Sequence, residues 1–171
     1  DYDIWRQLGN EGWSYEEVLP YFKKSENNEN GESEFHGSDG ELSVQNPIFD
    51  NNPLHRCFLD AGIQAGYKYI EDINSFDNEG FGPCPQTISN GYRASTSFSF
   101  INPIKDRTNL TIITKSITKK LLFESTKCVG LEYINGKNVH KVYAEREVLV
   151  CGGAINSPQI LQLSGIGKGD Y

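Results

Sequence analysis

The apolar and polar positions near the start of the chain predict a helix that is interrupted once. Ser14 and Glu17 stand at the spacing of a capping box, in which each side chain bonds the other residue's backbone N–H. Proline is disfavoured inside a helix because it lacks an N–H and its ring crowds the preceding turn. We therefore predict a break at Leu19, a second turn that opens with Pro20, and an end near Ser25.

The following segments switch between polar loops, a short strand and a second helix. Residues 26–34 are polar or glycine, which predicts a surface loop, and the alternation within 41–45 predicts a strand. After Pro53, apolar residues recur at helical spacing until Gly66, so we predict an amphipathic helix. Its apolar stripe comprises Leu54, Phe58, Ala61 and Ala65. Residues 72–85, rich in Asp, Asn, Gly and Pro, are predicted to form a loop.

Beyond Tyr92 the pattern predicts one helix and then an antiparallel meander. The helix runs from Arg93 to Ile101 and stops where Pro103 blocks its continuation. Asn135-Gly136 is a strong hairpin signal, because both residue types tolerate positive φ. The runs that predict strands, rich in β-branched and aromatic residues, are Leu110–Thr114, Lys120–Phe123, Val129–Ile134 and Val139–Tyr143.

A strand, a glycine turn and a helix are predicted at the end of the chain. Residues 147–151 have the continuous apolar character of a strand buried on both faces of a parallel sheet, and they lead into Gly152-Gly153. The helix is predicted to begin with Ser157 as its cap and Pro158 as its first residue, and to end at Ser164-Gly165. Glycines at this place allow a nucleotide to approach the backbone closely, but a tight turn that packs helix on sheet explains them equally well.

Composition narrows the classes of function. The chain has 171 residues with 16 Lys and Arg against 23 Asp and Glu, a net charge of -7, which argues against nucleic acid or an anionic membrane as partner. No apolar run is long enough to span a bilayer. The four cysteines are irregularly spaced and predict buried, reduced thiols rather than a zinc site, and they favour an intracellular protein, cytoplasmic or peripherally associated with a membrane. They are Cys57, Cys84, Cys128 and Cys151.

Residues 153–167 carry the most specific motif, a glycine start, Ser-Pro, two aliphatic residues and then Ser-Gly-Ile-Gly. This run resembles the second signature of the glucose-methanol-choline (GMC) oxidoreductases. Further motifs occur in the family's order and spacing, which is most similar to its choline dehydrogenase branch. They are Gly12-Trp13-Ser14-Tyr15, Leu19 to Glu26, His36-Gly37-Ser38-Asp39-Gly40, Glu79 to Pro83 and Arg93-Ala94-Ser95-Thr96.

The resemblance implies an α/β fold with an α+β mix and a division of the chain among two domains. One is a partial FAD-binding, Rossmann-like domain with an antiparallel β-meander, and the other is part of the GMC substrate-binding domain. Residues 1–40 are expected to supply a helical and loop part of the FAD-binding domain. Residues 41–91 are expected to belong to the substrate domain, and 92–171 to the FAD-binding domain again.

The same resemblance implies a cofactor, FAD, and a set of residues near its adenosine half. Thr118 stands where the family's backbone meets the adenine, although a solvent-facing threonine between two strands is a credible alternative. Cys151, Gly152 and Gly153 match the strand end beside the adenosine. Gly152 replaces the usual alanine, which keeps the small size that the position requires.

The chain contains no candidate catalytic or metal-binding residue. It has no G-x-G-x-x-G motif, which the resemblance places before Asp1, and the family's catalytic histidine is expected beyond Tyr171. None of His36, His55 and His140 matches that histidine. The aspartates 39, 60, 72 and 77 are interpreted as solvated loop carboxylates, because their spacing indicates neither a metal site nor an acid–base pair.

The function implied for the whole protein is oxidation of the CH–OH group of a small alcohol, choline-like, by hydride transfer to FAD. The chain alone is expected to be inactive, to need the rest of the parent protein, and to oligomerise or aggregate through unpaired strand edges. Two alternatives remain open: a relative that acts on another alcohol or sugar, and a binding module without catalysis.

Overall fold

The structure is a computed structural model that describes residues 1–46 and 52–168. The predicted mixture of helices and strands is confirmed. Contacts divide the chain into two compact units, Asp1–Leu110 and Thr111–Tyr171. No helix in the described part of the chain is both long and apolar enough to cross a membrane.

The first unit combines helices with two small sheets. A parallel pair is formed by β1 and β2, and an antiparallel pair by β3 and β4. In chain order its elements are α1 (Tyr2–Gln7), α2 (Tyr15–Ser25), β1 (Glu26–Asn28), β2 (Leu42–Val44), α3 (Pro53–Gln64), β3 (Ile88–Ser89), β4 (Tyr92–Arg93), a π-helical turn (Ser97–Ile101) and a 3-10 turn (Asn102–Ile104).

The predicted capping box of α2 is confirmed, whereas the predicted break is wrong. The Ser14 hydroxyl accepts a bond from the Glu17 N–H at 3.3 Å, and the Ser14 N–H donates to the Glu17 carboxylate at 3.0 Å. The helix then runs through Pro20 without interruption. Proline costs one intrahelical hydrogen bond and crowds the preceding turn, and both effects are local. The cap and the packing of Phe22 on Tyr2 of α1, with ring centroids 5.8 Å apart, hold the helix on both sides of it.

The predicted loop over 26–34 begins with a strand instead. Glu26–Asn28 pairs in parallel with Leu42–Val44, so that the predicted strand over 41–45 is confirmed and has a partner. Asn28 is buried, and its N–H donates to the Gly37 carbonyl at 2.9 Å. A polar strand forms here because the partner backbone satisfies its hydrogen bonds, which outweighs its low strand propensity.

The predicted helix after Pro53 is confirmed, and it ends before Gly66, whose φ is +92°. Its buried face differs from the predicted stripe, because Leu59 and Gly62 are the buried residues. A Cβ on Gly62 would lie 2.5 Å from the Phe81 ring, so the helix buries the face on which the ring can approach the backbone. The predicted stripe is exposed at Leu54, Phe58, Ala61 and Ala65.

Helical structure after Arg93 is shorter than predicted. Arg93 pairs with Ile88 across the antiparallel pair of β3 and β4, and the helical turns begin only at Ser97. Pro103 does not end them, because it lies within the 3-10 turn. At the start of a helical turn the missing proline N–H has no intrahelical partner to lose.

The second unit confirms the predicted meander. Strands β5 (Ser116–Glu124), β6 (Lys127–Asn135) and β7 (Asn138–Tyr143) form an antiparallel sheet in that order. Asn135 pairs with Asn138, so the turn lies one residue later than predicted, with Gly136 at φ +61°. The predicted strand Leu110–Thr114 is wrong, because these residues have no strand pairing.

The predicted strand over 147–151 is also wrong, and α4 starts earlier than predicted. Residues 147–151 have no regular secondary structure, and Leu149 is 74% exposed. A strand requires a hydrogen-bonded neighbour, and the described residues provide none at this place. Helix α4 spans Gly153–Leu163 and contains Pro158 in its interior. Its predicted end is confirmed, with Ser164 as C-cap and Gly165 at φ +83°.

The four cysteines are free thiols, as predicted, but they are not buried. Cys57, Cys84 and Cys151 are exposed, and Cys128 is partly exposed. Cys57 lies on the exposed side of α3, and Cys151 lies in the irregular segment before α4. The apolar character of cysteine is therefore not sufficient to predict that these four side chains are buried.

Candidate functional site

A cavity of about 230 Å³ lies in the second unit, between the meander and the segment that leads into α4. Three of the four predicted site residues line it, namely Thr118, Cys151 and Gly152. The fourth, Gly153, is the first residue of α4 and does not line the cavity. The other lining residues are Leu121, Leu131, residues 148–150 and Ile160.

The strand β5 presents Thr118 at an irregularity in the sheet. Thr118 pairs with Tyr133 while Lys120 pairs with Glu132, so the register shifts between them. Such a bulge bends a strand and redirects the side chains beside it. Thr118 is half-buried within the strand, which differs from the alternative of a solvent-facing threonine between two strands.

Hydrogen bonds fix α4 against the cavity. The Ser164 hydroxyl accepts a bond from the N–H of the buried Leu121 at 2.8 Å and donates to the Ile160 carbonyl at 2.6 Å. At the other end, the Gly152 N–H donates to the Ser157 hydroxyl at 3.0 Å. Ser157 therefore caps the segment from inside the helix, although the predicted cap position was at the helix start.

We expect Ser164→Ala to destabilise the second unit by about 1 to 2 kcal/mol, because it leaves the Leu121 N–H buried without its partner. Urea unfolding of the protein that contains this chain measures the effect. Ser125→Ala, at an exposed turn of the same unit, is the control and should change stability little. Equal stability of the two variants would contradict the assigned role of Ser164.

The lining of the cavity suits a flat apolar ring with polar edges. Leu121, Leu131 and Ile160 supply aliphatic surface, and the backbone of 148–152, which is outside any helix or sheet, supplies hydrogen-bonding groups. None of the lining side chains is charged. The volume lies below the range of about 300–1,000 Å³ for whole drug-sized ligands, so the cavity fits one ring system of a larger molecule. An adenine meets these requirements.

The first unit holds a polar cluster that the sequence did not predict. The His36 ring lies between two carboxylates, with Nδ1 2.8 Å from Glu26 Oε1 and Nε2 2.8 Å from Asp72 Oδ2. The interpretation of Asp72 as a solvated loop carboxylate is thus wrong. Asp39 and Asp77 are exposed loop residues, as predicted, although Asp77 pairs with Lys68, and Asp60 pairs with Arg56 on helix α3 instead of lying in a loop. Sequence spacing gives no signal for the cluster, because Asp72 is 36 residues from His36.

The other two histidines lie on other elements of the chain. His140 stacks on Tyr133 of the meander with ring centroids 5.2 Å apart. His55 lies in α3, within the exposed part of that helix. Over residues 1–46 and 52–168, no group of three or more His, Cys, Asp or Glu side chains could hold a metal ion.

Comparisons with known proteins give a consistent result. The sequence profile of the GMC oxidoreductases matches residues 1–171. The chain is 46% identical over 172 residues to the oxygen-dependent choline dehydrogenase of Pectobacterium carotovorum, covering 99% of this chain and 31% of the relative. It is 47% identical over 173 residues to the protein of the same name from Chromohalobacter salexigens, covering 100% of this chain and 31% of that relative. The chain thus spans about a third of these curated relatives.

Solved structures lead to the same family. The fold matches pyridoxine 4-oxidase from Mesorbium loti with a TM-score of 0.87 and 31% identity, covering 99% of this chain and 33% of that one. It matches an FAD-dependent oxidoreductase from Chaetomium thermophilum with a TM-score of 0.85 and 28% identity, covering 97% of this chain and 31% of that one. The family inferred from the sequence motifs is confirmed: this chain belongs to the GMC oxidoreductases.

Proposed function

We propose that this chain is part of an FAD-dependent oxidoreductase that oxidises the CH–OH group of a small, choline-like alcohol. The carrying observation is the match of the whole chain to the GMC profile together with relatives named oxygen-dependent choline dehydrogenase. When bound, FAD supplies the acceptor for the hydride that leaves the alcohol carbon. The residues of this chain bind and position the cofactor, and the proton-abstracting group lies in the rest of the protein.

The contribution of the second unit is the adenine side of the FAD site. Thr118, Cys151 and Gly152 line the cavity, and the aliphatic side chains around them exclude water from the two faces of a ring. Gly153 adds no side chain at the first residue of α4, where φ is +83°. Its place is beside the adenosine, where the lack of a side chain lets the backbone come close to the ligand.

The assignment to domains rests on the resemblance in sequence. Residues 1–40 and 92–171 belong to the FAD-binding domain, and 41–91 to the substrate domain. The pairing of β1 with β2 supports a close junction between the first two segments, because these strands lie on either side of residue 40. Within residues 1–46 and 52–168, the outer edges of β5 and β7 have no strand partner, which favours further partners from the parent protein or from a second copy.

The free thiols support an intracellular location, because disulfides are rare in reducing compartments.

A second candidate for the reaction has support of its own. The match to a pyridoxine 4-oxidase favours the same chemistry on a different alcohol. Adding choline or pyridoxine without oxygen to the purified protein that contains this chain, and recording the flavin absorbance near its visible maximum, distinguishes the two. Bleaching by choline alone supports the first proposal, and bleaching by neither opposes both.

Gly152→Leu is expected to weaken FAD binding at least about tenfold, because Gly152 lines the cavity proposed for the adenine and a larger side chain there disturbs its wall. Flavin retained after desalting, and the Kd of the apoprotein for FAD, measure the effect. Gly152 has a negative φ of -81°, which leucine can adopt, but its Cβ would lie 3.1 Å from Asn156 Cβ and from the Ser157 nitrogen, so the stability of the variant is measured as well.

The matched control is Gly9→Leu, which adds the same side chain at a glycine of the first unit with no atom within 4 Å of its Cβ position. Its positive φ makes leucine somewhat strained there, so any loss of stability in the control bounds the general cost of the substitution. Unchanged FAD affinity in a folded Gly152→Leu variant would oppose the adenine site without touching the family assignment.

A further inference from the structure

The His36 side chain is held by carboxylates on both of its nitrogens. Its Nδ1 lies 2.8 and 3.0 Å from the two oxygens of Glu26, and its Nε2 lies 2.8 Å from Asp72 Oδ2. The ring is 13% exposed and the Glu26 side chain 15%, whereas Asp72 is 32% exposed. Water therefore screens the Glu26 contact weakly, and reaches the Asp72 contact more easily.

We propose that His36 is a pH-sensitive clamp, in which the protonated ring fastens the loop that begins at Asp72 to the strand β1. Carboxylates accept hydrogen bonds and cannot donate them when ionised. A neutral imidazole donates from one nitrogen only, so that its other nitrogen would turn a lone pair towards a carboxylate. The Asn28 amide nitrogen also lies 3.2 Å from Nδ1, farther than the nearer Glu26 oxygen. Only the imidazolium donates to both carboxylates at once.

Each end of the clamp is fixed to its own segment. The Asp72 side chain accepts the Asn74 N–H at 2.9 Å, so its carboxylate is part of the turn that it fastens. At the other end, the Glu26 carboxylate also accepts the Asn28 amide at 3.0 Å and the Gly37 N–H at 3.3 Å. The contact between His36 and Asp72 is the weaker of the two. Glu26 keeps its hydrogen bonds to Asn28 and Gly37 when His36 loses its proton, so that it stays in place.

The charges around the ring are negative. Among the residues that the structure describes, Glu26 of β1 and Asp72 of the loop face the ring, and Glu71 lines the adjoining polar cleft of about 180 Å³. Burial by itself lowers the pKa of His36, but the hydrogen bonds to Asp72 and Glu26 and their charges together raise this pKa above its usual 6.5. Geometry and charge thus both favour the protonated form of the ring over the neutral one.

The direction of the pH effect follows from that shift. Since the pKa of His36 is higher in the folded than in the unfolded chain, the clamp stabilises fully below about pH 6.5. Its contribution is lost as the pH rises through the folded-state pKa. If the proposed domain assignment holds, the clamp joins the FAD-binding segment to the substrate segment. This link between domains is the only part of the inference that rests on the proposed function.

The test is hydrogen exchange at the amides of 70–80 in the protein that contains this chain, with rates corrected for the intrinsic effect of pH. We expect protection in wild type to fall about tenfold between about pH 6 and about pH 9, as expected for loss of one charge-assisted hydrogen bond. His36→Gln should show low protection at both pH values, because glutamine donates to only one partner and does not titrate. Asp72→Asn should weaken the pH dependence while keeping an acceptor.

His140→Gln is the control, since it removes a histidine that stacks on Tyr133 in the second unit, and it should behave as wild type. Constant protection of wild type across this pH range would overturn the clamp. So would the same pH-dependent loss in His36→Gln as in wild type. If His36→Gln does not fold, the comparison of wild type with Asp72→Asn decides, because equal pH dependence in those two also overturns it. None of these outcomes depends on flavin binding or alcohol oxidation.

Discussion

Gly37→Ala is expected to destabilise the first unit by about 3 kcal/mol, enough to reduce the yield of folded protein. A Cβ at this position would lie 1.8 Å from the Lys23 carbonyl oxygen and 2.6 Å from its carbon. Both atoms belong to the backbone of α2, so no side chain can rotate out of the way. Relief requires the turn after His36 to separate from the helix.

Moving the turn after His36 away from α2 would break more than one contact. The Gly37 carbonyl accepts the N–H of the buried Asn28 at 2.9 Å, and Gly40 repeats the close approach with a Cβ position 2.2 Å from the Ser25 carbonyl carbon. The Gly40 N–H in turn donates to the Glu26 carbonyl at 2.9 Å. The two glycines of the His-Gly-Ser-Asp-Gly motif thus place His36 against Glu26.

Urea unfolding of the protein that contains this chain, followed by tryptophan fluorescence, measures the loss, because Trp5 and Trp13 lie in this unit. Asp39→Ala is the matched control, with alanine introduced at an exposed position of the same turn. It should change stability by less than about 0.5 kcal/mol. A Gly37→Ala variant as stable as Asp39→Ala would show that the turn does not press against α2.

The sequence predicted those elements whose signals are local. Ser14 and Glu17 carry their own cap, Asn135-Gly136 marks a hairpin, and Gly66 ends a helix through its positive φ. Cys151 and Gly152, which the resemblance places beside the adenosine, line one cavity together with Thr118. In each case the residues that give the signal also form the structure.

The errors have the opposite origin, because distant partners decide those segments. Glu26–Asn28 is a strand only because β2 pairs with it, and residues 147–151 are irregular because the described chain gives them no neighbour. The His36 cluster joins residues 10 and 36 positions away from the ring. No sequence periodicity relates such positions, so the sequence gives no sign that His36, Glu26 and Asp72 form one cluster.

The motif at residues 153–167 has a structural explanation in this chain. Ser164 bonds the backbone of β5, and Gly165 adopts the positive φ that ends α4. Gly152, directly before the motif, lines the cavity. The motif therefore docks α4 on the meander.

The second large effect is expected for Gly130→Ala in β6, a loss of about 3 kcal/mol with loss of bound FAD. A Cβ on Gly130 would lie 2.2 Å from the Val142 carbonyl oxygen and 3.0 Å from the Tyr143 Cα, both in the backbone of β7. The register of β5 with β6 shifts beside this residue, between Leu122 and Phe123, so the sheet is already irregular there. Far-UV circular dichroism during urea unfolding, together with the flavin content, measures both effects.

The outcome tests a link between the sheet and the proposed adenine cavity, because Leu131, the next residue, lines that cavity. Displacing β6 from β7 at Gly130 moves that wall as well, so stability and flavin content should fall together. Lys127→Ala, an exposed position in the same strand, is the control and should preserve both. Loss of flavin without a loss of stability would mean that Gly130→Ala displaces the cavity wall without weakening the sheet. Destabilisation with full flavin content would mean that the adenine is held by the segment before α4, and that the meander only supports it.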